Sequence, residues 1–207
     1  GFQDYYGLED FPNPILEYPE ENSKYGWDYE TLVFLQNKID QVNKQFLAFC
    51  VLGTDHTPYP RLPKKFMKFP HHASNEGGYL NTLHYTDWAI GQFFESIREK
   101  SWFENTVFLI TADHVLPHFN DFSFQEKFKV PLIMLGPGLR KARTEDQVSS
   151  HLDLMPTIAD ILRIERRHSS IGSSLLKETD RVAFVVEGSN IGIISNTGYL
   201  KYSTRHR

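Results

Sequence analysis

With 207 residues, 40% of them apolar and 14% aromatic, the chain can bury a substantial core and is too hydrophobic to be disordered. A formal charge of −4 and a pI near 6.1 exclude a general electrostatic pull toward nucleic acid or an anionic membrane. No apolar run approaches the roughly 18 residues that a membrane-spanning helix needs, and the opening Gly1-Phe2-Gln3-Asp4-Tyr5-Tyr6 is neither a signal peptide nor headed by methionine, as in a piece of a longer protein.

Residues 1 to 28 are rich in Pro, Tyr, Asp and Glu without a sustained period, which predicts an irregular, partly packed segment. From Asp28 to Val42, Leu32, Leu35, Ile39 and Val42 follow helical spacing, with Asp28 placed to cap the helix. Phe46 to Leu52 is continuously apolar and predicts a strand buried on both faces. Cys50 lies inside it, so the only cysteine is expected to be a small buried hydrophobe and not a nucleophile. The strand breaks at Gly53-Thr54-Asp55-His56-Thr57-Pro58-Tyr59-Pro60, and the basic stretch Arg61 to His72, with two prolines, continues as a loop whose charge run is read as a solvated face, with phosphate contact as the alternative.

Gly78 to Lys100 is the clearest helix, with Leu83, Ile90, Phe93, Phe94 and Ile97 marking an apolar face that Tyr79, Leu80 and Trp88 widen. Val107 to Ile110 predicts a second strand buried on both faces, ending in Thr111-Ala112-Asp113-His114. Val130 to Leu135 predicts a third, stopped by Gly136-Pro137-Gly138, and Leu152 to Leu162 a short helix with Pro156 in its first turn. The tail from Val182 to Tyr202 predicts short strands and hairpin turns, including Asn196-Thr197-Gly198. Strands alternating with helices define one α/β domain.

Ligands of open α/β sheets bind beyond the carboxyl ends of the strands. Asp113-His114 stands at such an end and offers one hard oxygen and one borderline nitrogen, the start of a divalent metal site. A loop in which Asp turns the chain and His is incidental is the plain alternative. Asp55-His56 follows the earlier strand, and His118 lies four residues beyond His114. The phosphate-binding glycine loop, Cys-x-x-Cys, Gly-x-Ser-x-Gly and His-Glu-x-x-His are all absent.

Four pieces resemble, in order, the C-terminal half of the sulfatase/alkaline-phosphatase superfamily. They are the helix sequence Tyr79 to Gly91, the strand lead Trp102-Phe103-Glu104-Asn105-Thr106-Val107 running to Asp113-His114, Val130-Pro131-Leu132-Ile133 with Gly136-Pro137-Gly138, and Ser150-His151-Leu152-Asp153-Leu154-Met155-Pro156-Thr157. Gly1 to Tyr6 and Phe49 to Pro60 are similar to the lipoteichoic-acid-synthase and phosphoglycerol-transferase branch. The resemblance fades after about residue 165.

It implies an alkaline-phosphatase-like sheet sandwiched by helices, with a small antiparallel β part over 180–203, the whole being the C-terminal portion of a catalytic domain. It further implies that Asp113 and His114 ligate a divalent metal, manganese or magnesium in preference to zinc, and that His56 faces the substrate phosphate or leaving group. His118 is a second candidate substrate contact. The nucleophile, usually a threonine, would lie before residue 1. His151 stands where glutamine is frequent, and Val115 where many relatives have glycine. The implied function is phosphoryl or phosphoglycerol transfer, or phosphodiester hydrolysis, on a phosphorylated envelope substrate at the outer face of a bacterial membrane. Membrane attachment would come through segments outside this chain, with no nucleic-acid partner. A sulfatase acting on sulfate esters and a non-catalytic domain that keeps the fold are the alternatives.

Overall fold

The computed structural model describes residues 2–11, 27–116, 123–137, 139, 142, 144–165 and 169–205. The chain divides into two compact units, Gly1–Phe103 and Glu104–Arg207.

The first unit is built on two helices, α1 (Asp28–Ile39) and α2 (Glu76–Ile97). The shorter α1 ends before Val42, and Trp27, not Asp28, occupies its cap position. The α2 helix starts two residues earlier than its apolar pattern suggests, because the Asn75 side chain accepts a hydrogen bond from Gly78 N at 2.7 Å. Its buried stripe also differs from the expected one. Asn81, Thr82, Tyr85, Ala89, Phe93 and Ile97 are buried at three- and four-residue spacing, whereas Leu83 is exposed. The helix carries apolar side chains nearly all round, so periodicity alone leaves its orientation open. Tyr85 decides it by packing with Leu62 and Phe66, against which Trp27, Tyr29, Met67 and Trp88 also rest. At the far end Asp40 accepts from Lys100 Nζ (2.6 Å) and Trp102 Nε1 (2.8 Å), joining the C-terminal ends of both helices. These bonds, the lysine's foremost, hold the Asp40 carboxyl below its ordinary value.

The expected strand Phe46–Leu52 does not form among the described residues: the segment belongs to no helix or sheet. Leu47, Phe49 and Val51 are exposed, at 62%, 75% and 67%. An apolar run says what a segment is able to bury and nothing about what will cover it. Cys50, on the opposite side, is half-buried, and loss of solvent, with the Asp28 carboxylate adding to it, raises its thiol to about 11. Relative to an ordinary thiol near 9.0, the reactive thiolate is then about 100-fold scarcer. A thiol reagent at pH 8 should therefore label the native chain about 100-fold more slowly than the urea-unfolded one. Equal rates would show that Cys50 is open to solvent and ordinary.

In the second unit β1 (Phe108–Thr111) and β2 (Leu132–Leu135) form an antiparallel pair, with Phe108 opposite Leu135 and Thr111 opposite Leu132. Neither is buried on both faces. The residues of β1 are half-buried up to an exposed Thr111, and Ile133 and Leu135 of β2 are exposed. Gly136 ends β2 at φ +136°, where a Cβ would stand 2.6 Å from Thr106 O, so only glycine fits this close return past the start of β1. A 3₁₀ turn at His151–Asp153 leads into α3 (Leu154–Ile161). Three antiparallel strands follow in sequential order, β3 (Val182–Glu187), β4 (Asn190–Ser195) and β5 (Gly198–Ser203). Ala183, Val185 and Ile194 of this sheet are buried against Phe124, Phe128 and Val148.

Candidate active-site residues

The candidate residues fall into one group in each unit. In the first unit, the loop carrying His56 is held from behind by a buried aspartate. Asp28 Oδ1 accepts from Gly53 N (2.9 Å) and Thr54 N (3.0 Å), and its Oδ2 accepts from the Thr86 hydroxyl. Thr54 Oγ1 accepts in turn from Asp28 N at 3.0 Å. Asp28 is fully buried and Thr54 nearly so, which fits the rule that a buried charge survives only when its acceptor positions are filled. A short turn, His56 N to Gly53 O at 3.2 Å, then brings His56 to the surface. Its Nδ1 lies 2.7 Å from Thr57 O. A carbonyl only accepts, so Nδ1 donates to Thr57 O. Tyr59 closes the loop underneath, 1% exposed, with its N bonded to Ala73 O at 2.7 Å. Burial foremost, then Tyr79 and Asp55, raises the Tyr59 phenol above its ordinary value.

In the second unit, Asp113 and His114 follow β1 directly, as the sequence places them, and both are open to solvent, with side chains 89% and 73% exposed. Asp113 Oδ1 accepts from His114 N at 2.8 Å, so the carboxylate folds back over its own loop. His114 Nδ1 donates to Val115 O at 2.8 Å, which leaves Nε2 as the acceptor. Metal-ligating histidines are commonly fixed in this way, by donating the other ring N–H to a carbonyl. His114 Nε2 and Asp113 Oδ2 lie 3.7 Å apart. That is shorter than two ligand bonds of about 2.1 Å laid end to end, so both atoms can reach one divalent ion. Oxygen and imidazole donors suit manganese, magnesium or zinc. They are two ligands only, since no cluster of three His, Cys, Asp or Glu able to hold an ion occurs among the described residues.

One residue gains a role that its sequence setting did not show. His151 Nε2 donates to Ala112 O at 2.9 Å, tethering the carbonyl just before Asp113. Behind it Asp153 is buried and accepts from Ser150 N (2.9 Å) and Ser173 N (2.8 Å), while Thr157 Oγ1 donates to Asp153 O at 2.6 Å. The Ser150-x-x-Asp153 spacing of a capping box was the available signal. His118 lies outside the described residues.

The folded chain is similar to a solved protein of the alkaline phosphatase superfamily from Vibrio parahaemolyticus, with a TM-score of 0.78 at 21% identity over 94% of this chain and 48% of that one. This defines an α/β fold of the alkaline-phosphatase type. Residues 1–164 match the Sulfatase family, and the chain belongs to that family. It is 24% identical over 167 residues to lipoteichoic acid synthase 1 of Bacillus subtilis (strain 168), covering 71% of this chain and 26% of that protein. It is 32% identical over 97 residues to arylsulfatase K of Gallus gallus, covering 44% of this chain and 18% of that protein. To the arylsulfatase of Clostridium perfringens it is 26% identical over 182 residues, 83% of this chain and 32% of the relative. The chain therefore spans a third or less of the length of these relatives. Among the described residues no helix is long and apolar enough to cross a membrane.

Proposed function

We propose that this chain is the C-terminal portion of the catalytic domain of a metal-dependent phosphoryl or phosphoglycerol transferase, or phosphodiesterase, acting on a cell-envelope phosphodiester outside the cytoplasm. The observation that carries the reading is the Asp113-His114 pair, with Nε2 of the Nδ1-protonated ring facing Oδ2 across 3.7 Å at the end of β1. Similarity to lipoteichoic acid synthase 1 over 71% of the chain supports the transfer chemistry.

Members of this superfamily generally use divalent metals. Asp113 and His114 would hold one, manganese or magnesium in preference to zinc, with further ligands from outside this pair. The bound ion would supply positive charge beside the transferred group. His56 is exposed on a loop fixed by Asp28, and as a proton donor it would serve a phosphoryl oxygen or the leaving oxygen. His118 is the second proposed substrate contact. The nucleophile, proposed as a threonine, is assigned to no residue of this chain.

Calorimetric titration of manganese, magnesium and zinc into the 207-residue chain tests the site. We expect one ion bound, weakened by at least about tenfold in Asp113→Ala and in His114→Ala. Equal binding by wild type and both variants would remove the pair from the metal site. The isolated chain should not turn over a phosphodiester with added manganese, and turnover abolished by Asp113→Ala would overturn the assignment of the nucleophile elsewhere.

A sulfuric ester hydrolase is the second reading, favoured by the 32% local identity to arylsulfatase K. Parallel assays of aryl sulfate and glycerophosphodiester on a longer form with the complete domain separate the two.

A further inference from the structure

We propose that the loop from Arg61 to His72 is a cationic ridge that binds a linear polyanion, a chain carrying phosphate or sulfate groups at intervals. Arg61, Lys64, Lys65 and Lys68 are all exposed. No acidic residue occurs between Asp55 and Glu76, so all 26 acidic residues of the chain lie outside this stretch. None of the four cations forms an ion pair among the described residues. The stretch's own charge is thus opposite in sign to the chain's net charge, and at physiological salt its attraction acts over about 8 Å.

A solvated charge run needs no fixed shape, yet this one is pinned along its length. Leu62 and Phe66 are buried in the cluster with Tyr85. Asn81, fully buried, accepts from Lys68 N (2.8 Å) and Phe69 N (3.0 Å) and donates to Phe69 O at 3.0 Å. The next residues press onto the first turn of α2, where a Cβ on Gly78 would stand 2.1 Å from His72 O. Lys65 Nζ sits 4.6 Å over the Trp88 ring and 4.7 Å over the Phe66 ring, which holds this exposed side chain in place. Backbone and one side chain are ordered in advance, so little freedom is lost when an anion arrives.

A narrow strip suits a chain better than a plane. A linear polyanion can engage the cations of this short stretch alone, whereas the chain as a whole, at a formal charge of −4, has no general attraction to an anionic membrane. The ridge begins five residues after His56. If the ester-transfer or ester-hydrolysis function proposed above holds, the substrate is a polymer threaded past His56, and a small ester lacks half of the contacts.

The test is fluorescence anisotropy of end-labelled linear polyphosphate and of dextran sulfate, titrated with the 207-residue chain in chelator-containing buffer. Four contacts should give a slope near −3 in log affinity against log salt, taking roughly 0.7 per phosphate as for single strands. The variant Arg61→Gln/Lys64→Gln/Lys65→Gln/Lys68→Gln should lose on the order of 100-fold at 0.1 M salt, with an unchanged thermal unfolding midpoint. The preferred probe tells phosphate from sulfate. Asp113→Ala should bind like wild type, so failure of the metal site leaves this result untouched. Unchanged affinity in the quadruple variant, no binding by wild type, or tighter binding to phosphatidylglycerol vesicles than to either polymer would overturn the proposal.

Discussion

Replacing Asp28 with alanine is expected to destabilise the chain by about 3–5 kcal/mol, the usual cost of leaving partners of a buried charge unpaired. The carboxylate is fully buried and accepts three hydrogen bonds, from Gly53 N, Thr54 N and the Thr86 hydroxyl. Alanine leaves the part-buried Gly53 N–H and the buried Thr54 N–H without their acceptor and opens a hole lined by polar atoms. Asparagine should be far milder, at about 1–2 kcal/mol. Its carbonyl oxygen can take the Oδ1 place before Gly53 and Thr54, and its amide can face Thr86, whose hydroxyl accepts as well as donates. Urea unfolding of the three proteins checks this. An alanine variant within 1 kcal/mol of wild type would sink it, and so would an asparagine variant as unstable as alanine. The effect bears on function because the same bonds hold the turn that projects His56. In a catalytically competent longer form, Asp28→Asn should keep most activity while Asp28→Ala loses it.

Asp28 also shows where sequence reasoning stops. Its place before a helical period suggests a cap, which is a local role, and helix, strand and turn signals are all local. Its actual partners sit 25, 26 and 58 residues away, a relation that no periodicity encodes. The same limit explains α2: its existence was plain from spacing, but which stripe faces inward depended on Leu62 and Phe66 arriving from a loop. For Phe46–Leu52 the apolar character was legible and the burial was not, since burial needs a partner surface. By contrast the position of Asp113-His114 directly after a strand was legible, because a β-rich run and the polar pair that ends it are adjacent in sequence. Family membership was legible too, since it rests on four short motifs in a fixed order over residues that match the Sulfatase family. The tether from His151 was hidden for the reason that hid Asp28: it spans 39 residues.

Substituting Asp153 by alanine should cost about 2–4 kcal/mol and should also weaken metal binding at Asp113-His114, though Asp153 touches neither residue. The carboxylate bridges Ser150 N and Ser173 N, and its own carbonyl accepts from Thr157, which is fully buried and whose hydroxyl accepts from Leu175 N at 2.9 Å. One aspartate therefore joins the start of α3 to the segment that returns past it. Ser150 N is the group that fixes the turn from which His151 reaches Ala112 O. Without the carboxylate, Ser150 and Ser173 lose their acceptors and the turn frays. The Ala112 carbonyl then loses its donor, one residue before the proposed metal pair. Positioning shells of this kind are worth about 10- to 100-fold in metal affinity, so a tenfold loss is the expected size. His151→Gln separates the two consequences. An amide can still donate to Ala112 O, and the turn keeps Asp153, so both stability and metal affinity should stay near wild type. His151→Ala should keep stability within about 1 kcal/mol and lose metal affinity. Were Asp153→Ala to bind metal as wild type does while unfolding more easily, the buried aspartate would serve the fold alone, and the tether to Ala112 would have no part in holding the site.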